Sequence, residues 1–250
     1  MKTLKSLSVL LTTLLVYLLQ LPFSIAKSAS ALNVFNPHAR AFSHPNSDPF
    51  IDNTDTKSVY DSIHLDLAGL NRKAFELAKT GLLKLKNLGK ITNDSILSII
   101  DFSQPSTQKR LYILDLKNYT IRFNTYVAHG RNSGMVLAHS FSNRPHSYQS
   151  SLGFYITEEP YEGHNGYSLK LAGMEPGIND KAETRGIVVH GAKYVNSEMI
   201  TETGRIGRSE GCPAVPTNEA TPLINYIKDG TCLFIYYPDP SYSRQSALLN

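Results

Sequence analysis

The sequence predicts a mainly β protein, a sandwich or barrel-like sheet preceded by a helical section. Three observations carry this. Apolar residues recur at three and four between residues 57 and 90. From about Ser95 the period drops to two. The later apolar runs are short and separated by Gly, Ser and Asn turns.

Each element follows from that pattern. Val59, Ile63, Leu67 and Leu70, then Phe75, Leu77, Ala78, Leu82 and Leu85, mark an amphipathic helix pair. Asn71 can cap the second helix, because its side-chain oxygen accepts from the unpaired amides of a first turn, and Gly89 can end it. Residues 96–100 and 111–116 read as strands, and Lys117-Asn118 as the turn leading to a partner strand at 120–127. Further strands are expected at 136–141, 153–157, 167–171, 186–189 and 232–237. Residues 217–228 read as a short helix capped by Thr217, with Leu223, Ile224 and Ile227 on its apolar face.

The first 26 residues are different material. Lys2 and Lys5 precede an apolar run over 7–23, which ends in Ser24-Ile25-Ala26. This is the layout of a secretory signal peptide, and the run is short for a membrane span. The expected organisation is a signal peptide at 1–26, a flexible lead and helical section at 27–94, the main β domain at 95–238 and a tail at 239–250. An exported monomer is expected, touching membrane only through its signal peptide. Of 25 basic and 21 acidic residues, the signal peptide holds Lys2 and Lys5, so the remainder carries +2. That balance gives no electrostatic case for nucleic acid, which needs a concentrated basic face. With 41% hydrophobic residues the chain can bury a core without disulfides.

Two cysteines are present, and in an exported chain one disulfide is the plain reading. Their surroundings differ. Cys232 runs into Leu233-Phe234-Ile235 and reads as a packed, inert thiol. Cys212 lies in Gly204-Arg205-Ile206-Gly207-Arg208-Ser209-Glu210-Gly211-Cys212-Pro213, a polar, glycine-rich turn. Gly211 allows close backbone approach and positive φ. Arg205 and Arg208 favour a thiolate and can grip a carboxylate in two-point geometry. Upstream, Gly186-Ile187-Val188-Val189-His190-Gly191 is an apolar strand ending in a histidine, whose pKa near neutrality suits a general base. Backbone N–H groups of Gly211 and Cys212 could stabilise a tetrahedral oxyanion. Tyr155 and Tyr194 could line the cleft. His129, His139, His146 and His164 match no zinc spacing. His129 reads as a cleft-side or structural histidine.

These residues resemble the L,D-transpeptidase (YkuD-like) family of bacterial wall enzymes, in its divergent murein branch. The shared pattern is a strand-borne His-Gly, here His190-Gly191, followed across a loop by Ser or Thr, any residue, Gly and Cys, here Ser209-Glu210-Gly211-Cys212. Ser151-Leu152-Gly153-Phe154-Tyr155 is similar to the family's earlier Pro-x-Gly-x-Phe strand. His129-Gly130, Phe141-Ser142-Asn143 and Gly166-Tyr167-Ser168-Leu169 fit the branch too. The resemblance covers roughly residues 95–238 and implies a YkuD-like β-sandwich or barrel. It implies Cys212 as nucleophile, His190 as base and Ser209 as support; Gly191, Arg205, Arg208 and Tyr155 are the candidates for the substrate side. It implies peptidoglycan stem peptides as partners, with the acyl group of a tetrapeptide passed to another stem's amine, and no metal or cofactor. Many members carry His where this chain has Glu210. Two rival readings stand beside it: a hydrolase on the same stems, and a non-catalytic wall-binding module closed by a Cys212–Cys232 disulfide.

Overall fold

The structure is a computed structural model and describes residues 58–250. The expected signal peptide and most of the lead segment lie outside the described residues. Ser58 caps a single helical turn, α1 (Val59–Ser62), by accepting from the Asp61 amide. The expected first long helix stops there. His64 (φ 56°) and Gly69 (φ 85°) take left-handed backbone, which a helix interior does not tolerate, and Leu67 is 82% exposed rather than inward. The second helix, α2 (Arg72–Asn87), forms as expected, with the Asn71 side chain accepting from the Lys73 and Ala74 amides. Its buried face includes Ala74, Phe75, Ala78, Leu82 and Leu85. A Cβ on Gly81 would stand 2.1 Å from the Phe154 ring, so the bare glycine lets the helix settle onto the sheet.

The strands are β1 (Ile96–Asp101), β2 (Leu111–Asp115), β3 (Thr120–Thr125), β4 (Gly153–Gly163), β5 (Gly166–Gly173), β6 (Val188–Ala192), β7 (Ala214–Pro216) and β8 (Cys232–Tyr236). They form one mainly antiparallel sheet in the order β3-β2-β1-β8-β4-β5-β6-β7, with parallel pairing only at β1–β8 and β6–β7. Strands β1, β2 and β8 are buried at every position. That explains their continuous apolar runs, since a strand covered on both faces has no polar side. Three further helices are α3 (Ser197–Thr203), α4 (Thr217–Ile227) and α5 (Pro240–Gln245). Thr217 opens α4 instead of capping it; Pro216 holds the cap position without a side-chain bond.

The sheet nearly closes. Just beyond β3, the Ala128 amide donates to the Ala214 carbonyl in β7 (2.8 Å) and the Arg131 amide to the Ser209 carbonyl (2.7 Å). Segment 128–131 therefore joins the two ends of the strand order and gives the barrel-like form. The strand expected at 136–141 is a tight loop. Gly134 turns it back on itself, at a position where a Cβ would lie 1.9 Å from the Leu137 carbonyl oxygen. Met135, Val136 and Leu137 are exposed there. Strand β7 and helices α3 and α5 were not expected from the pattern. The C-terminal residues are held by buried Glu175, which accepts from the Phe154 amide (2.8 Å) and the Tyr242 and Ser246 hydroxyls.

Candidate active site

The cysteine turn is built where the sheet closes. Strands β6 and β7 run parallel, with His190 opposite Ala214 and Gly191 opposite Val215. Cys212 lies two residues before Ala214, and Val188 two before His190. Side chains two apart share a face, so this register brings Cys212 alongside the strand that carries His190. The hydrogen bonds agree. The Val188 amide donates to Cys212 Sγ at 3.5 Å, and the thiol donates to the Gly186 carbonyl at 3.4 Å. Cys212 and His190 line one cleft of about 550 Å³, with Arg131, Arg185, Tyr194 and Arg208 around them. His190 is the third of five residues in β6 rather than a strand end, because β6 continues through Gly191 to Ala192.

Ser209 closes the turn. Its buried hydroxyl donates to the Cys212 carbonyl (2.6 Å) and accepts from the Gly211 amide (3.1 Å). Gly211 has φ +133°, and a Cβ there would stand 2.9 Å from the Gln149 carbonyl and 3.0 Å from Ile187. The position demands glycine. The Ser150 hydroxyl donates to the Gly211 carbonyl (3.1 Å). The Gly211 amide, an expected oxyanion donor, is engaged by the Ser209 hydroxyl in this structure.

His190 Nδ1 lies 3.0 Å from the Gly191 carbonyl. That assigns the proton to Nδ1 and leaves Nε2 with a lone pair. Burial pushes the imidazole below its ordinary pKa, opposed by the Gly191 bond. Burial pushes the Cys212 thiol up, opposed by the Val188 amide and the Arg185 charge. Both shifts favour the neutral forms, an imidazole and a thiol.

The other expected residues divide. Arg208 lines the cleft, and its Nη1 donates to the Arg131 and Gly134 carbonyls (2.7 and 3.1 Å). Arg205 donates to the Ile206 carbonyl beside it and is not among the lining residues. Tyr155 is fully buried with its hydroxyl on the Ser151 carbonyl (3.1 Å), so its expected cleft-side place is corrected: it points into the core. Gly191 packs closely against α4. A Cβ there would meet Ala220 and Thr217 of α4 at 3.0 and 3.2 Å. Tyr194 lines the cleft, pressed against Gly207.

His129 is structural. It is fully buried, its Nδ1 lies 2.7 Å from Arg110 Nη2, and its Nε2 donates to the Gly134 carbonyl at 3.2 Å. Burial first, and the Arg110 charge second, press its pKa down to about 3. Its carbonyl accepts the Ser209 amide (3.0 Å), so it braces the cysteine turn from behind. Among the described residues no group of three or more His, Cys, Asp or Glu is arranged to hold a metal ion. Both thiols are free. The alternative Cys212–Cys232 disulfide is therefore corrected. Cys232 is sealed inside β8, in register with Leu97 of β1 and Ile156 of β4.

One residue escaped the sequence reading. Arg185, half-buried before β6, donates to the Ser142 and Gln149 carbonyls (2.8 and 2.6 Å) and to the Ser147 and Ser151 hydroxyls. Nothing in the local pattern marks it, since an arginine between a polar stretch and a glycine reads as a solvated loop charge.

A family model described as an L,D-transpeptidase catalytic domain matches residues 67–236. No curated protein matches the chain. Among solved structures, similarity extends to an L,D-transpeptidase from Mycobacterium smegmatis, at 10% identity over 57% of this chain and 59% of that one, with a TM-score of 0.36. It also extends to the helical cell shape determining protein Pgp2 from Campylobacter jejuni, at 15% identity over 58% of this chain and 48% of that one, with a TM-score of 0.38. An L,D-transpeptidase from Mycobacterium tuberculosis H37Rv matches at 14% identity over 57% and 58%, with a TM-score of 0.33. The chain thus spans about half to three-fifths of the length of these proteins.

Proposed function

The chain belongs to the L,D-transpeptidase catalytic-domain family, and from that membership we propose that it transfers the acyl group of a peptidoglycan tetrapeptide stem through a thioester on Cys212, with His190 as base. The observation that supports this reading is the β6–β7 register, with the thiol against the histidine's strand and both residues lining a common cleft. In the resting state the thiol proton faces the Gly186 carbonyl. Substrate entry turns the sulfur toward Nε2 of His190, a rearrangement common where resting contacts are loose.

The steps balance as follows. His190 Nε2 takes the thiol proton and the sulfur attacks the carbonyl carbon before the terminal D-alanine. The Cys212 amide, backed by the positive charge around the cleft, stabilises the oxyanion. The carbon–nitrogen bond breaks, and the imidazolium returns its proton to the leaving D-alanine amine. An acceptor amine then attacks the thioester and gives a proton to His190. The thiolate leaves and recovers that proton. A neutral imidazole and a neutral thiol are the correct starting forms for this sequence. Arg208 is the proposed grip on a stem carboxylate. We assign the enzyme to the wall compartment outside the cytoplasm; no helix among the described residues is long and apolar enough to cross a membrane.

Incubation of the enzyme with disaccharide-tetrapeptide tests the proposal. Cross-linked dimer with release of D-alanine is the expected product. Tripeptide without dimer would replace transfer by hydrolysis, and unchanged tetrapeptide would refute both.

A further inference from the structure

The guanidinium of Arg185 has both terminal nitrogens occupied by protein oxygens. Nη1 serves Ser142 O and Ser151 Oγ, and Nη2 serves Gln149 O and Ser147 Oγ. It is therefore engaged before any substrate carboxylate arrives. All four acceptors lie in one stretch, residues 142–151. That stretch also touches the cysteine turn directly. The Gln149 carbonyl lies 2.9 Å from where a Cβ on Gly211 would stand, and the Ser150 hydroxyl holds the Gly211 carbonyl. Arg185 Nη2 is 3.4 Å from that same point. The residue after Arg185, Gly186, supplies the carbonyl that receives the Cys212 thiol proton. One side chain thus meets the loop, the turn and the cleft.

We propose that Arg185 is a positioning residue that fixes the 142–151 stretch against the cysteine turn and, through its charge, raises the reactivity of Cys212. The inference rests on Cys212 being the reacting thiol of the proposed function. Burial disfavours a cation at His190, and Arg185 supplies one beside the turn. The other charged or titratable groups lining the same cleft are Glu210 on the cysteine turn, His190 on β6, Tyr194 after β6, Arg131 and Arg208, and His164 in the turn between β4 and β5. Glu210 opposes Arg185: it disfavours the thiolate that Arg185 favours. Arg131 is engaged with Glu210 at 3.3 Å, and Arg208 with the carbonyls of residues 131 and 134.

The test is the rate of iodoacetamide alkylation of Cys212 in the full chain, followed by peptide mass as a function of pH. Arg185→Gln is expected to move the midpoint of the rate profile upward by about one pH unit, because a neighbouring cation is what lowers a thiol's pKa. Arg185→Lys is expected to keep most of that midpoint, since the charge remains. It should nevertheless increase proteolytic cleavage within 142–151, since an ammonium cannot span four acceptors. A folded Arg185→Gln with an unmoved midpoint would overturn the charge role. If that variant does not fold, Arg185→Lys decides: wild-type protease resistance in the stretch would overturn the positioning role. Alkylation needs no wall substrate. A shifted midpoint with no acyl transfer would leave this inference standing and remove the proposed function instead.

Discussion

At Cys232 the sheet is sealed on both sides: β1 and β4 flank it, its neighbours are apolar, and burial first, with the Glu175 charge second, pushes its thiol up. At Cys212 the sheet is still being closed. A three-residue strand, a serine-pinned turn and segment 128–131 meet there, and the sulfur faces amides, carbonyls and arginines at the edge of open space. The same side chain is inert packing in one place and addressable in the other. The difference comes from the backbone around the sulfur, a turn that only glycine can make and a parallel register that brings a histidine-bearing strand alongside.

The sharpest way to break this contrast is to remove each sulfur in turn. Cys212→Ala should abolish turnover while leaving the melting temperature nearly unchanged. Cys232→Ala should keep kcat/KM near wild type but lower stability by roughly 1–3 kcal/mol, the usual cost of thinning a packed core. Denaturant melts and steady-state kinetics on both variants separate the two. Next is the base. His190→Ala should slow acylation by roughly 10²–10⁴-fold, measured by stopped-flow with a β-lactam. Wild-type acylation should persist to a pH below the ordinary histidine range, because burial holds the His190 pKa down and the imidazole stays unprotonated there. An unchanged rate in the variant would move the base elsewhere.

A parallel contrast separates His190 from His129. His129 titrates near 3 in the fold and near 6.5 when unfolded. As pH falls through 6.5, the unfolded chain takes a proton that the fold refuses. Stability should therefore be intact above that pH and decline toward pH 3, by on the order of 4 kcal/mol at about 1.4 kcal/mol for each pH unit. His129→Gln should flatten that slope in acid denaturation, and an equal slope in the variant would place the acid sensitivity elsewhere. The smallest effect is at Tyr155. Tyr155→Phe removes one buried hydroxyl bond to Ser151, worth about 1 kcal/mol, and should leave KM unchanged. A raised KM would return that residue to the cleft.

Much of this was legible in the sequence. The two-residue period announced β1, β2, β4, β5 and β8, and Asn71 announced the start of α2. The cysteine turn was readable because three glycines and two arginines do not belong in an apolar strand. Other features were hidden for physical reasons. Strand β7 is too short to show a period, and His190 looked like a strand end because Gly191 follows it. Gly191 is in fact a seat for α4. Arg185 was passed over in favour of Arg205 and Arg208, since sequence distance from Cys212 says nothing about which guanidinium folds back against it. Val136 and Leu137 imitated a strand, but Gly134 turns their segment outward.

The most direct measurement is intact-mass spectrometry after exposure to a carbapenem. One added β-lactam mass is expected on the wild-type chain and on Cys232→Ala, with none on folded Cys212→Ala. An adduct that survives in Cys212→Ala, or a folded wild-type chain that gains no mass, would contradict the assignment of the nucleophile.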